Sequence, residues 1–264
     1  MNNNWKERFG GAALITGASG GLGAEFARQL AAKGMNLVLV ARSTDKLNAL
    51  ASELRQKHAI EAITIPLDLT RQDAADILRQ QTQQKGIAVG LLVNNAGYGS
   101  HGTLDTLDAQ NEIRMVDLNC RTPLAMTHAF LPDMLSRRRG GIIFLASVGA
   151  YQPTPYFANY SATKAYNLML GEALWAELKP KGIDVIALSP GYTRTGFQEA
   201  GDVQSNPVGG WAAARDVVAR CLAKLGKKPS TIYGFRNWFL AWSLRFTPRR
   251  LVVLLAKVIS KPTV

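Results

Sequence analysis

Ala12-Ala13-Leu14-Ile15-Thr16-Gly17-Ala18-Ser19-Gly20-Gly21-Leu22-Gly23 is the stretch on which the fold turns. Ala12 to Thr16 is an apolar run without polar alternation, which suits a parallel strand buried on both faces. After the glycines, Leu22, Phe26 and Leu30 recur at helical spacing. Glycines between a strand and a helix let the backbone turn sharply and approach a pyrophosphate, which meets the free N–H groups and positive end of the helix. The spacing is Gly17-x-x-x-Gly21-x-Gly23, not G-x-G-x-x-G, and a plain tight turn is the competing explanation of the glycines alone. Their place between a first strand and a first helix favours the phosphate.

Outward from this turn, apolar runs and helical patterns alternate. The run from Asn36 to Ala41 is followed by a helix with Leu47, Leu50 and Leu54, a strand Ala62 to Leu67, a helix Asp73 to Lys85 and a strand Leu91 to Asn94. One long helix is expected from about Gln110 to Ser136, then a strand Ile142 to Ala146, a helix to about Lys179, a strand Asp184 to Leu188 and a helix Ala212 to Leu225. The pattern predicts an α/β protein: a doubly wound parallel sheet with helices on both faces, three layers α/β/α. With 264 residues, 47% of them hydrophobic, the chain suits a single domain. That domain is placed over residues 1–234, with 235–264 as an extension of it. The segment Met1 to Arg8 is expected to lead straight into the first strand.

Two patterns carry chemistry. At the end of the second strand stand Ala41 and Arg42. A carboxylate there would favour NAD, whereas a guanidinium suits the 2′-phosphate of NADP. Farther on, Tyr160-Ser161-Ala162-Thr163-Lys164 puts a hydroxyl and an ammonium four residues apart, on one helix face. A nearby fixed cation is expected to lower a tyrosine pKa from its usual value of about 10, making Tyr160 a usable general acid. Ser147, just past a strand end, is placed to hydrogen-bond a substrate oxygen.

Taken together these residues resemble the short-chain dehydrogenase/reductase family, whose fold is of the Rossmann type. The resemblance runs from about residue 10 to residue 195 and is carried by Thr16-Gly17-x-x-x-Gly21-x-Gly23, Asp68-Leu69, Asn94-Asn95-Ala96-Gly97, Asn119, Ser147, Tyr160-x-x-x-Lys164 and Pro190-Gly191. It implies a catalytic set of Asn119, Ser147, Tyr160 and Lys164: Tyr160 as proton donor or acceptor, Lys164 lowering its pKa and holding the nicotinamide ribose, Ser147 on the substrate oxygen, and Asn119 keeping a water in the proton path. It also implies an NADP(H) site. Gly17, Ser19, Gly21, Leu22 and Gly23 form the phosphate turn, with Arg42 on the 2′-phosphate and Asp68 and Leu69 beside the adenine. Asn95, Ala96 and Gly97 close one side, while Pro190, Gly191, Thr193 and Thr195 lie on the nicotinamide side. No metal is expected.

Substrate is expected over Ser147 and Tyr160, beneath a lid from Tyr192 to Gly210, with Tyr98, Val148, Tyr151, Phe157 and Phe197 as lining. These lean towards an apolar carbonyl or alcohol. His101 reads as a loop residue. The two cysteines, Cys120 and Cys221, have neither disulfide nor zinc spacing. With no signal-peptide pattern at the N-terminus, a cytoplasmic setting is expected.

The net charge of +12 belongs to the tail: from Val217 onward there are ten Lys or Arg and no acid, and the remainder holds 21 basic against 19 acidic residues. Aromatic residues interleave with those cations from Phe235 to Phe246. The tail can pack over the cleft or another subunit with its basic residues solvated, which is favoured, or lie on an anionic membrane as a peripheral contact. Nucleic acid is not expected. The overall expectation is an NADP(H)-dependent oxidoreductase interconverting a ketone or aldehyde and an alcohol, forming a homo-dimer or homo-tetramer as the family usually does. The rival is a non-catalytic NADP-binding regulatory or scaffold protein of the same fold. A third reading, epimerisation or dehydration after transient oxidation, requires tightly retained cofactor.

Overall fold

The computed structural model describes residues 4–195 and 210–261. Most of the expected lid, with Gly196, Phe197, Gly201, Pro207 and Gly209, lies outside the described residues.

Six parallel strands follow the apolar runs: β1 Ala12–Thr16, β2 Leu37–Ala41, β3 Ala62–Pro66, β4 Val89–Asn94, β5 Gly140–Leu145 and β6 Ile183–Ser189. After the two-residue strands β7 (Thr193–Arg194) and β8 (Ala212–Ala213), which pair with each other, β9 (Ser230–Ile232) completes the sheet. Its order is β3-β2-β1-β4-β5-β6-β9, seven-stranded and parallel in every recorded pairing. The chain winds one way from β1 to β3 and the other way from β4 onward. The reversal leaves a crevice at the carboxyl ends of β1 and β4, where open α/β sheets bind ligands.

Alternate strand residues feed two cores, as period-two geometry requires. Ala13 and Ile15 of β1 join Phe26, Leu30 and Val217 on one face, whereas Ala12 and Leu14 join Leu78, Phe130 and Leu178 on the other. The first face is covered by α2 (Gly21–Ala31), α3 (Thr44–Lys57) and α8 (Ala214–Lys224). The second is covered by α4 (Ala74–Gln84), α6 (Thr122–Ser136) and α7 (Ala158–Leu178). This is the three-layer, Rossmann-type single domain that the pattern predicts.

Three local expectations need correction. The N-terminal segment does not run directly into β1: Trp5–Phe9 forms a short helix, α1, because Asn4 Oδ1 accepts from the Glu7 N–H at 3.2 Å and Gly10 ends the helix at φ 69°. Burial of Trp5 and Phe9 against the core holds it there. The long helix after β4 is interrupted: α5 (Ala109–Val116) passes into a π-helical turn, Asp117–Arg121, before α6. Ala212 and Ala213 are strand rather than helix, and β9 was not foreseen, being too short to show a period.

Beyond β9 come two further helices, α9 (Phe235–Ser243) and α10 (Arg249–Ile259). No helix among the described residues is long and apolar enough to cross a membrane.

Candidate active site

The glycine turn is shaped by close approach. A Cβ on Gly23 would lie 2.2 Å from the Gly17 carbonyl oxygen, and one on Gly17 would lie 2.9 Å from Asn95 Nδ2, with Gly17 already at φ 66°. Only glycine allows the turn and helix to meet this tightly. Thr16 locks the turn to the next half of the sheet. Its Oγ1 accepts from the Asn95 and Ala96 N–H groups at 2.9 and 3.0 Å and donates to the Val93 carbonyl at 3.1 Å, while Asn95 Nδ2 donates to the Thr16 carbonyl at 2.8 Å. Asn95 thus acts by bracing the crevice. Thr16, quoted only as part of the glycine motif, supplies the brace.

The same turn fits an anionic group. The start of α2 has no side-chain cap, so its first N–H groups are offered to whatever lies outside, and a Cβ on Gly20 would meet nothing within 4 Å. Ser19 and Leu22 flank it half-buried, and Leu22 packs on the core. Thr195 lies across the turn, its Cβ 3.2 Å from where a Gly21 Cβ would be. Arg42 is exposed at the end of β2. Asp68 accepts from Thr70 N at 3.0 Å, which with Arg42 nearby holds its carboxyl below the ordinary value; Leu69 beside it is buried.

On the other side of the crevice, β5 ends at Leu145 and Ser147 caps a short 3-10 turn, Val148–Tyr151, through Ser147 Oγ and Gly149 N at 3.1 Å. Tyr160 and Lys164 stand in the first two turns of α7, with Tyr160 hydrogen-bonded to Ser147. Lys164 Nζ lies 5.8 Å from the centre of the Tyr160 ring and donates to the Leu145 carbonyl at 3.0 Å. Gly97 closes in from β4: a Cβ there would be 2.8 Å from Asn119 Oδ1 and 3.3 Å from Lys164 Nζ.

Asn119 is fully buried in the π-helical turn. Its Nδ2 donates to the Tyr98 carbonyl at 2.9 Å and to Thr163 Oγ1 at 3.0 Å, and its Oδ1 accepts from Tyr98 N at 3.2 Å. Such a turn offsets the helical ladder, a feature concentrated at functional sites. The Asn119 carbonyl accepts from Asn167 Nδ2 at 2.7 Å. Asn167 was missed; its signal was its place three residues after Lys164, on the same helical face.

Electrostatics differ from the expectation of a lowered Tyr160 pKa. Burial pushes the Tyr160 hydroxyl up to about 12, against a smaller lowering by the Ser147 hydrogen bond. Burial also brings the Lys164 ammonium down to about 8. In so apolar a place, desolvation of each charged form dominates.

Other residues are brought to the same end of the sheet. Thr193 is buried and bonds the Gly191 carbonyl at 3.0 Å; the Pro190 carbonyl accepts from Val148 N at 3.0 Å. His101 is more than a loop residue, since it stacks on Phe157 with ring centres 4.3 Å apart, and Phe157 in turn lies 6.3 Å from the Tyr160 ring. The Tyr98 hydroxyl donates to the Asn111 carbonyl at 2.7 Å, and the Tyr151 hydroxyl accepts from Ser189 at 3.5 Å. No group of three or more metal-ligating side chains occurs among the described residues.

A reversing parallel sheet, a glycine turn at its switch point and a Ser-Tyr-Lys cluster across the crevice thus lie at one end of the sheet. Residues 11–205 match the short chain dehydrogenase family, and the chain belongs to that family. It is 41% identical over 176 residues to a very-long-chain 3-oxoacyl-CoA reductase of Neurospora crassa; the match takes in 66% of this chain and 53%, about half, of that relative. Among solved structures, a 7beta-hydroxysteroid dehydrogenase superposes with a TM-score of 0.87 at 27% identity, covering 96% of this chain and 99% of the other. A short-chain dehydrogenase from Sphingobium yanoikuyae, solved with NADPH, superposes at 0.80 with 30% identity, covering 89% and 94%.

Proposed function

We propose that the protein is an NADP(H)-dependent reductase that converts an apolar ketone to a secondary alcohol, with long-chain 3-oxoacyl thioesters the first substrates to test. The observation that carries this reading is the Ser147–Tyr160 hydrogen bond with Lys164 beneath the Tyr160 ring, facing the glycine turn across the sheet's switch point.

In this reading Gly17, Ser19, Gly21, Leu22 and Gly23 would hold the pyrophosphate, Arg42 the 2′-phosphate, and Asp68 and Leu69 the adenine side. Asn95, Ala96, Gly97, Pro190, Gly191, Thr193 and Thr195 would frame the remainder, and Tyr160 and Lys164 would bind the ribose. When bound, the dinucleotide supplies the hydride that the carbonyl carbon gains. Ser147 donates to the substrate oxygen and aligns it with Tyr160. Tyr160 gives its proton to that oxygen as the alkoxide develops, and the proton is replaced through Lys164.

A tyrosine held near 12 is a weak acid, yet the alkoxide that develops on the substrate is more basic than tyrosinate, so Tyr160 remains a competent proton donor for reduction. The stacked His101–Phe157 pair beside Tyr160 offers an apolar wall, and the name of the Neurospora relative points to a long acyl chain. The test is NADPH consumption against medium- and long-chain 3-oxoacyl thioesters, bulky cyclic ketones and short polar ketones, with NADH as second cofactor. Turnover of the apolar ketones with NADPH is expected; preference for NADH or for short polar ketones would overturn the assignment.

A further inference from the structure

The C-terminal helices carry a face that the chemistry does not use. In α9 and the turn after it, Phe235, Trp238, Phe239, Trp242 and Phe246 each stand three or four residues from another of the set and so share one side. All five are exposed, Phe235 by 76% and Phe246 by 73%. Their rings form a continuous ladder: centres lie 5.9 Å apart for Phe235 and Trp238, 6.3 Å for Trp238 and Trp242, and 5.0 Å for Trp242 and Phe246. The side turned to the protein offers Ala241. Helix α10 repeats the arrangement. Val252 and Ala256 are buried, while Leu251, Leu254, Leu255 and Val258 face out, Val258 by 77%.

Both helices are thus inverted with respect to a helix of a water-facing surface, which turns its large apolar residues to the core. They are not detached. Asn237 Nδ2 donates to the Tyr233 carbonyl at 3.0 Å, its side chain packs against Gly191, and His101 Nε2 lies 2.9 Å from the Ser260 carbonyl.

Charge selects the occupant. Arg236, Arg245, Arg249, Arg250, Lys257 and Lys261 are exposed, and residues 235–264 contain no acid. A second copy of the chain meeting this face through a two-fold axis would set these cations against their own counterparts. A surface with an anionic headgroup layer over an apolar interior satisfies both features at once, and tryptophan is enriched at that boundary. We infer that α9 and α10 seat the protein, as a peripheral anchor, on an anionic membrane surface. This stands independently of the substrate assignment.

The test is co-sedimentation of the full chain with phosphatidylcholine vesicles, with and without about 30% phosphatidylglycerol. It is run at low salt and at about 0.5 M salt, where exposed charges are screened. Three proteins are compared: the native chain, Trp238→Glu/Val258→Glu, and Arg249→Glu/Arg250→Glu; all four sites are exposed, and NADPH binding reports whether each variant is folded. The native chain is expected to bind the anionic vesicles with a blue shift of tryptophan emission, to lose roughly tenfold in partitioning with salt or without the anionic lipid, and both variants to stay in solution. Absence of binding, or equal binding to neutral and anionic vesicles, would overturn the inference. So would a dimer by sedimentation equilibrium that Trp238→Glu/Val258→Glu dissociates while the native chain ignores vesicles, since the face would then belong to a second copy.

Discussion

Lys164 is 5% exposed, and its ammonium donates to the Leu145 carbonyl. Holding an ammonium there costs stability. Its folded pKa of about 8 lies below the ordinary 10.5, so between these values the unfolded chain binds more protons. Stability therefore rises with pH across that window, and the penalty is fully present below about 8. At neutral pH Lys164→Met should then leave the protein as stable or up to about 3 kcal/mol more stable in urea unfolding while abolishing turnover. A loss of more than about 1 kcal/mol would show that the ammonium is stabilising. The same value sets a kinetic expectation: kcat/KM for reduction should be flat through neutrality and decline above about pH 8 as Lys164 loses the proton it relays. Arg42 is exposed at the end of β2, and in the proposed assignment it carries the cofactor preference. Arg42→Ala should weaken NADPH binding roughly 10- to 100-fold by titration and leave NADH binding within about twofold.

Elements explain why some of this was legible. The strands showed because both faces of a parallel sheet are buried, so Leu37–Ala41 and, within β6, Val185 to Leu188 read as unbroken apolar runs. Tyr160 and Lys164 showed because a helix places residues four apart on one face. Less visible was the π-helical turn Asp117–Arg121, which adds one residue to a turn without altering the apolar pattern around it. Its work is done by bonds distant in sequence, Asn119 to Thr163 and Asn167 to Asn119. Nor did spacing show that burial outweighs the Ser147 hydrogen bond at Tyr160, because desolvation depends on what other elements cover. The glycine turn makes a sharp forecast at this scale. Gly23→Ala would force a methyl onto the Gly17 carbonyl, so a loss of about 2 to 4 kcal/mol is expected in thermal unfolding, together with loss of cofactor binding. A native melting temperature in that variant would mean that the turn relaxes freely.

At the scale of the molecule, two residues that motif reading passed over tie the crevice to the C-terminal helices. His101 links the Ser260 carbonyl to the Phe157 ring beside Tyr160, and Asn237 packs on Gly191. Composition foretold an aromatic, basic tail but not which way its residues would turn. That is set by Ala241, Val252 and Ala256, small enough to pack inward while their larger neighbours point away. Removal of residues 235–264 should therefore leave a folded sheet domain that binds NADPH yet shows a KM for apolar ketones raised roughly tenfold, with kcat affected less. Tyr160 is the proton donor of the proposed reaction, and the decisive measurement is single-turnover reduction of an accepted ketone by native protein and Tyr160→Phe, each saturated with NADPH. A rate lower by roughly 10² to 10⁴ in the variant, with NADPH affinity within about threefold of native, is the predicted result. An unchanged rate would contradict the assignment and place the proton donor elsewhere in the crevice.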